Sequence, residues 1–402
     1  MSDSDQTPAS RPVVRLRPNR GRRLAGGAPW VYADEIVTDR RTKALAAGAI
    51  ATLESEARVP LATVTVNTAS TIMARVLDAD PEAAIDGAWL RARLRAAQAH
   101  RTRLFDQPFY RLVHAEGDGL PGVVIDRFGD AAVIQPNAAW ADVMISELCD
   151  ALAEVTGVSS IIINGSGRAR ALEGLDDEVR LERGEMTAPV ATPMNGAIYM
   201  ADLMGGQKTG LFFDQRPNHA RAAQLANGSD VLDVFCHVGG FGLAALAGGA
   251  VSALAVDSSA PALELAEAGA QATGVSDRFN VLKTQAFDAL RALAAEGRDF
   301  DMVVCDPPAF APSKQALDKG LRAYERAAKL STDLVRPGGY LVLCSCSHAA
   351  VPDLFRAACV KGIRAAGRSA SLIHAGQAGA DHPAHFALPE TSYLKALFFR
   401  LN

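Results

Sequence analysis

The chain has 402 residues, and at about 150 residues per domain that length argues for two or three domains. Hydrophobic residues make up 49% and charged residues 21%, which excludes a mostly disordered chain, a collagen-like fibre and a disulfide-stapled miniprotein. Forty-one Lys and Arg against 45 Asp and Glu leave a net charge of −4, so net charge alone points to no polyanion partner.

The charge is unevenly placed. Arg11, Arg15, Arg17, Arg20, Arg22 and Arg23 crowd a segment with no acid between Asp5 and Asp34, and Arg91, Arg93, Arg95, Arg101 and Arg103 fall on a predicted helix. A solvated charged face is the ordinary reading of one such cluster. Two all-arginine clusters in the first quarter of the chain favour a phosphate-binding surface, because guanidinium grips phosphate oxygens in a bidentate fork. The cysteines (Cys149, Cys236, Cys305, Cys344, Cys346, Cys359) show no CxxC spacing, so neither a disulfide framework nor a zinc module is expected, and no metal is assigned. The opening MSDSDQTPAS is polar and lacks the apolar core of a signal peptide, so a cytoplasmic location is expected. Val234 to Val256 carries no Asp, Glu, Lys or Arg and could pass for a membrane span. Its glycines, His237 and flanking Asp233 and Asp257 read instead as strand, loop, helix and strand, so no membrane partner is expected.

In chain order, residues 1–10 read as a disordered tail. From Pro12 to about Arg75 short β-prone runs (Val13-Val14, Trp30–Tyr32, Ala49–Leu53, Ala62–Val66, Thr71–Ala74) alternate with Gly, Pro and Asn, as in a small β-barrel. Residues 82–104 are predicted helical. Tyr110–His114, Gly122–Phe128 and Ala131–Gln135 read as antiparallel strands separated by GDGLPG and FGD, followed by a helix over Ala138–Val155, a strand over Ser160–Asn164 and a polar stretch to Arg183. Beyond about Pro193, after a hairpin at Met194-Asn195-Gly196, strands (Val231–Phe235, Ala253–Asp257, Phe279–Lys283, Phe300–Asp306, Tyr340–Cys346) alternate with helices (Pro261–Thr273, Phe287–Glu296, Ala316–Val335), and Tyr393–Leu401 is a last strand. That alternation predicts a parallel sheet covered on both faces, with ligands beyond the carboxyl ends of the strands.

The first of these strands ends VLDVFCHVGGFG. Gly239, Gly240 and Gly242 let backbone approach a ligand at a helix N-terminus, and Asp257, ending the next strand, suits a ribose diol. Gly240-x-Gly242-x-x-Ala245 also satisfies a dinucleotide fingerprint. Asp233 argues against that reading, since its carboxylate would face a pyrophosphate but could accept from a cationic amino-acid moiety. The fourth strand ends in Asp306-Pro307-Pro308-Ala309-Phe310, which a dehydrogenase does not require.

VLDVFCHVGGFG, Asp257, DPPAF and the SCSH at 345–348 together resemble the class I S-adenosylmethionine-dependent methyltransferases, and more closely the large-subunit ribosomal RNA cytosine-5 methyltransferases. The likeness runs from about Val13 to Leu401. GRRLAGGAPWVYADEI resembles that family's PUA domain, an RNA-binding barrel, YRLVHAEGDGLPGVVIDRFGD its central domain, and GQKTGLFFDQRPN and DHPAHFALPETSYLKAL its signature stretches. The implied fold is α/β, a Rossmann-like class I methyltransferase domain over 191–402. Before it would come a small PUA-like β-barrel over 11–76 and a small α+β central domain over 77–190.

The resemblance implies S-adenosyl-L-methionine as cofactor, with Asp233 and the Gly239–Gly240 turn on its methionine end, Asp257 on its ribose, and Phe235 and Asp306 among its other contacts. Gln285 stands where the family usually has an acid for the adenine amine; a Gln carbonyl can accept the same bond without charge. Gln207, Lys208, Phe212, Asp214 and Arg216 would form a wall of the cofactor and substrate cleft.

The chemistry of cytosine carbon 5 needs a thiolate at carbon 6 and an acid to polarise the ring. Cys346 and Asp306 are the catalytic candidates, with Lys208, Arg216, Pro307, Phe310, His348 and His382 on the substrate side and Asp381 beside them. Strand cysteines are most often structural, and Cys344, two residues away, is the local competitor; Tyr324 reads as packing. The implied partner is 23S (large-subunit) ribosomal RNA, and a homodimer is left open. The rival readings are an RNA exocyclic-amine methyltransferase, which also uses a DPPAF-type loop, and a non-catalytic RNA-binding assembly factor.

Overall fold

The computed structural model describes residues 11–186, 189–206 and 209–402, so the expected tail, Gln207 and Lys208 lie outside the described residues. It divides into two compact units. One takes the described residues up to Met186 together with Pro383–Pro389, and the other those up to His382 together with Glu390–Asn402. The chain therefore returns briefly to its first unit near its end.

The first unit holds two five-stranded sheets. The strands Val13–Arg15, Trp30–Val31, Ala49–Glu54, Pro60–Val66 and Ala74–Asp78 form one, with Val14, Leu16, Leu53, Val64 and Val66 buried inside it. The other is built from Phe109–His114, Val123–Phe128, Ala131–Pro136, Ser160–Asn164 and Val179–Arg183, and packs on the helices Gly87–Arg101 and Ile145–Thr156. Buried polar contacts tie the two sheets into one body. Arg75 reaches Glu116 at 3.3 Å and Glu173 at 2.9 Å, and Trp30 Nε1 donates to Glu116 at 2.8 Å.

Many of the clustered arginines are spent inside this unit. Arg11 donates to Thr63 Oγ1 and to the carbonyls of Pro81 and Ala83, Arg15 pairs with Glu54, and Arg17 donates to the Ile36 carbonyl. In the second cluster Arg91 and Arg95 pair with Glu154, Arg93 with Asp78, and Arg101 is buried against Asp118. Arg20, which pairs with Asp34 at 3.4 Å, and Arg22, Arg23 and Arg103 are exposed, as are Arg17 and Arg95 despite their internal contacts.

In the second unit the hairpin Val190–Met194/Ala197–Ala201 turns on Asn195 (φ +55°) and Gly196 (φ +78°), the left-handed pair that a two-residue turn needs. The main sheet has seven strands: β1 (Asp230–Val234), β2 (Ser252–Asp257), β3 (Phe279–Lys283), β4 (Phe300–Cys305), β5 (Val335–Ser345), β6 (Ala370–Gly376) and β7 (Lys395–Leu401). Their order is β3-β2-β1-β4-β5-β7-β6. The pairs from β3 through to β5 are parallel, and β7 runs antiparallel between β5 and β6. Helices α1 (Arg216–Leu225), α2 (Gly240–Ala247), α3 (Ala260–Thr273), α4 (Ala286–Ala295), α5 (Leu317–Thr332) and α6 (Pro352–Ala365) connect and cover it. Leu232, Val234, Val303, Leu341 and Leu343 from the strands meet Leu290, Leu293, Tyr324 and Phe355 from the helices in one core. The uncharged stretch from Val234 to Val256 is strand end, turn, α2 and β2, and among the described residues no helix is long and apolar enough to cross a membrane.

Candidate active site

The carboxyl ends of β1, β2, β4 and β5 lie side by side, since Val234 pairs with both Val256 and Cys305, and Cys305 with Leu343. Every residue that follows one of those ends is thereby delivered to a common edge of the sheet.

After β1 the chain makes a tight loop with Phe235 at φ +64°, His237 at φ +52° and Gly239 at φ +81°. Left-handed backbone at two non-glycine residues costs free energy and persists only where neighbours fix it. Those neighbours are present: Phe235 N and Cys236 N donate to the Val256 carbonyl, and His237 N to Asp257 Oδ2 at 2.9 Å. Gly240 opens α2 and has no room for a side chain, because a Cβ there would lie 2.8 Å from the buried His219 ring. Burial holds His219 neutral, its pKa pushed down to about 3, and it stacks between Tyr199 and Phe241.

Asp233 is completely buried under this loop. Its Oδ2 accepts from Gly242 N at 2.8 Å, while Oδ1 has no hydrogen-bond partner among the described residues. Burial pushes its carboxyl pKa up to about 7, against the backbone donors that pull it down. A buried carboxylate oxygen without a donor is an acceptor for a cation. Asp257 is half-buried, and its two oxygens take the N–H groups of His237 and Ser259, leaving lone pairs on each. Gln285 is the exposed N-cap of α4, and its side chain makes no capping bond.

Asp306 follows β4, its backbone N bonded to the Val234 carbonyl and its Oδ2 accepting from Gln215 Nε2 at 2.8 Å. Gln215 is held in turn by Asn218 Nδ2 at 2.6 Å. Pro307 is buried; the half-buried Phe310 ring sits 6.1 Å from Phe287 and 5.0 Å from Tyr324.

Cys346 follows β5, one residue past the strand, and of the six cysteines it alone is not buried. Burial pushes the Cys305 thiol up to about 12 and the Cys344 and Cys236 thiols well above their ordinary range. Tyr324 bridges the loops after β4 and β5. Its hydroxyl accepts from Ser345 Oγ at 2.8 Å and lies 2.7 Å from Ser347 Oγ, which itself accepts from Ala311 N at 3.0 Å. On the other side of Cys346, Lys395 Nζ donates to the Ser347 carbonyl at 2.6 Å, and burial pushes the lysine pKa down to about 8 against the Cys346 charge, which raises it.

The remaining expected residues part company. His348 is exposed, its Nδ1 3.0 Å from the Glu390 carbonyl. His382, expected on the substrate side, is buried with its Nδ1 2.9 Å from Asp381 Oδ1. Asp214 is also buried, accepting from Tyr393 OH at 2.6 Å, and the Arg216 guanidinium lies over the Phe213 ring with Asp381 as its stabilising charge. Gln215, Lys395 and the Tyr324 hydroxyl were not picked out in the sequence. Gln215 stands between two residues that were, whereas Lys395 and Tyr324 needed the strand register and helix packing.

Residues 177–400 match the family model described as S-adenosylmethionine-dependent methyltransferase, and residues 14–79 that of a PUA-like domain. The chain is 35% identical over 393 residues to the ribosomal RNA large subunit methyltransferase I of Shewanella amazonensis, covering 96% of this chain and 99% of that one. It is 36% identical over 337 residues to the protein of the same name from Aeromonas hydrophila, covering 82% and 85%. Among solved structures, a Streptococcus mutans chain of the S-adenosylmethionine-dependent methyltransferase type shares the fold at a TM-score of 0.80 and 18% identity, over 97% of this chain and all of that one. SMU.776, complexed with SAH, shares it at 0.81 and 18%, with the same coverage.

The fold and its glycine loop thus define an enzyme, an S-adenosylmethionine-dependent methyltransferase preceded by a PUA-like domain. The chain belongs to the family of the ribosomal RNA large subunit methyltransferases I. The residues fit the cofactor: the buried Asp233 Oδ1, without a partner among the described residues, could accept from the methionine ammonium, and Asp257, closing the next strand, could accept from the ribose.

Proposed function

We propose that this enzyme methylates carbon 5 of a cytidine in 23S (large-subunit) ribosomal RNA, with Cys346 as a transient covalent nucleophile, in the cytoplasm. The names of its full-length relatives support the RNA class. The observation that carries the chemistry is that Cys346, alone among the cysteines, is accessible, and follows the strand next to the one that ends before Asp306.

S-adenosylmethionine, when bound, supplies an electrophilic methyl group. The Cys346 sulfur bonds to carbon 6 of the cytosine, and the ring's electron pair shifts so that carbon 5 becomes the nucleophile. Asp306, oriented by Gln215, supports protonation of the ring nitrogen. After carbon 5 is methylated, loss of its proton re-forms the ring double bond and expels the sulfur. Asp233, Phe235, Gly239, Gly240, Asp257, Gln285 and Asp306 form the cofactor side, and Lys208, Arg216, Pro307, Phe310, His348 and His382 are the substrate-side candidates. The base must leave its stack to reach the site, and the PUA-like domain supplies RNA affinity through its exposed arginines.

Replacing Cys346 by Ala tests the reading. Turnover is expected to be lost with S-adenosylmethionine binding retained, and digestion of wild-type-treated ribosomal RNA is expected to yield 5-methylcytidine by mass spectrometry. A Cys346→Ala enzyme that still methylates, with product on an exocyclic amine, would replace this reading with an amine methyltransferase.

A further inference from the structure

Lys395 opens β7 directly opposite Ser345 in antiparallel register, and its Nζ reaches the backbone carbonyl of Ser347, the residue that follows Cys346. Lys395 is only 8% exposed and its ammonium donates to the Ser347 carbonyl at 2.6 Å. Among the described residues no carboxylate comes within 4.0 Å of it. A buried cation is costly unless an anion or a full set of acceptors compensates it, and one carbonyl dipole is not a counter-charge. The group whose charge acts on Lys395 is Cys346.

We propose that Lys395 is the charge partner that holds the Cys346 sulfur as a thiolate. The proposal rests on Cys346 being the nucleophile and adds what activates it. In the proton balance, the Cys346 S–H gives its proton to the neutral Lys395 amine, leaving thiolate and ammonium side by side. The sulfur then bonds to carbon 6, and when that bond breaks in the last step its electron pair returns to sulfur, facing the same ammonium. The proton stays on Lys395 throughout. The other titratable groups around Cys346 do not supply this charge. Tyr324 on α5 is neutral, its pKa raised by burial, and Asp306 after β4 carries the wrong sign; His348, exposed and bonded through Nδ1 to the Glu390 carbonyl, is solvated where Lys395 is buried. The competing role for Lys395 is structural, capping the Ser347 carbonyl at the end of β5.

The test is the pH dependence of Cys346 alkylation by iodoacetamide in the full chain, followed by mass spectrometry of the Cys346 peptide in wild type, Lys395→Met and Lys395→Arg. The wild-type inflection is expected at least about one unit below the ordinary thiol value near 8.5. Lys395→Met should slow alkylation at pH 7 about tenfold, because the thiolate fraction falls tenfold per unit of pKa, and Lys395→Arg, which keeps a cation, should restore most of it. A wild-type inflection at or above 8.5, or a Lys395→Met profile that overlays wild type, overturns the pairing. The wild-type arm decides even if Lys395→Met does not fold. Failure of the covalent mechanism is read separately, as methyl transfer surviving in Cys346→Ala; a low wild-type inflection would then leave the ion pair standing without the catalysis.

Discussion

The two oxygens of the Asp233 carboxylate are treated differently by the protein. One oxygen is used up by the Gly242 N–H, which pins the start of α2, and the other waits in a buried space with nothing to donate to it. The consequence is a stability that depends on pH in a definite direction. The folded pKa of about 7 lies above the unfolded value of 3.8, so between those values the native state holds a proton that the unfolded chain has lost. The stabilisation is complete below about 3.8 and is lost as pH rises to about 7. His219 works the other way, since its folded pKa of about 3 lies below 6.5, and it adds stability as pH rises over that window. Asp233→Asn removes the first slope and leaves the second. Denaturant unfolding of the ligand-free variant is therefore expected to gain on wild type steadily from about pH 4 to pH 7, while its affinity for S-adenosylmethionine drops about tenfold or more for want of a charge-assisted bond. Calorimetry at pH 8 checks the affinity; an unchanged dissociation constant would remove Asp233 from the cofactor's ammonium. At this scale the sequence was informative because strand-ending aspartates and glycines in turns have few reasons to be there. Tyr324 and Lys395 were opaque, since a tyrosine on a helix and a lysine on a strand acquire meaning only from what stands opposite them.

Elements rather than single residues bring Asp306 and Cys346 into register. Parallel pairing of β4 with β5 sets the two loops side by side, and α5 then clamps them through one phenol: Ser345 Oγ donates to Tyr324 OH, Tyr324 OH bonds Ser347 Oγ, and Ala311 N donates to Ser347 Oγ. All three side chains are buried, so removing the phenol leaves hydroxyls short of a partner. Tyr324→Phe should cost about 1–3 kcal/mol in stability and lower kcat several-fold with cofactor affinity unchanged, because it loosens the geometry between the two loops and not the cofactor loop after β1. Equal losses in kcat and in cofactor binding would mean that the clamp is general packing. The strands that carry these loops were readable, β4 from Phe300 and β5 through Tyr340–Ser345, because buried parallel strands are short apolar runs. β6 was missed for the opposite reason. It is an edge strand whose residues Ser371, Leu372 and Ile373 are exposed, so no apolar alternation marks it. The helix expected over Ala138–Val155 is two, Ala139–Val143 and Ile145–Thr156, meeting at Met144, a break for which the sequence carries neither Pro nor Gly.

Across the whole molecule the same residue type does two jobs that composition cannot separate. The chain is net acidic, yet its early arginines looked like one phosphate-binding surface; the structure commits many of them to internal pairs. Arg101 has a fully buried side chain, with both guanidinium nitrogens on Asp118 at 2.5 and 2.7 Å and Nε on the Arg111 carbonyl. Arg22 is exposed on a four-residue helix. Substitutions at these two positions should therefore diverge. Arg101→Met strands the Asp118 carboxylate in the interior and should cost about 3–5 kcal/mol, read as a large fall in the unfolding midpoint. Its effect on RNA should be no more than the unfolded fraction explains. Arg22→Ala should leave stability within about 0.5 kcal/mol while weakening RNA binding at low salt. If the guanidinium neutralises a phosphate, the plot of log affinity against log salt should lose about 0.7–0.9 of slope, one counterion's worth. An Arg22→Ala enzyme with the wild-type salt dependence would take that arginine out of the RNA surface, and the other exposed arginines of the clusters, Arg17, Arg20, Arg23, Arg95 and Arg103, would have to account for their electrostatic contribution.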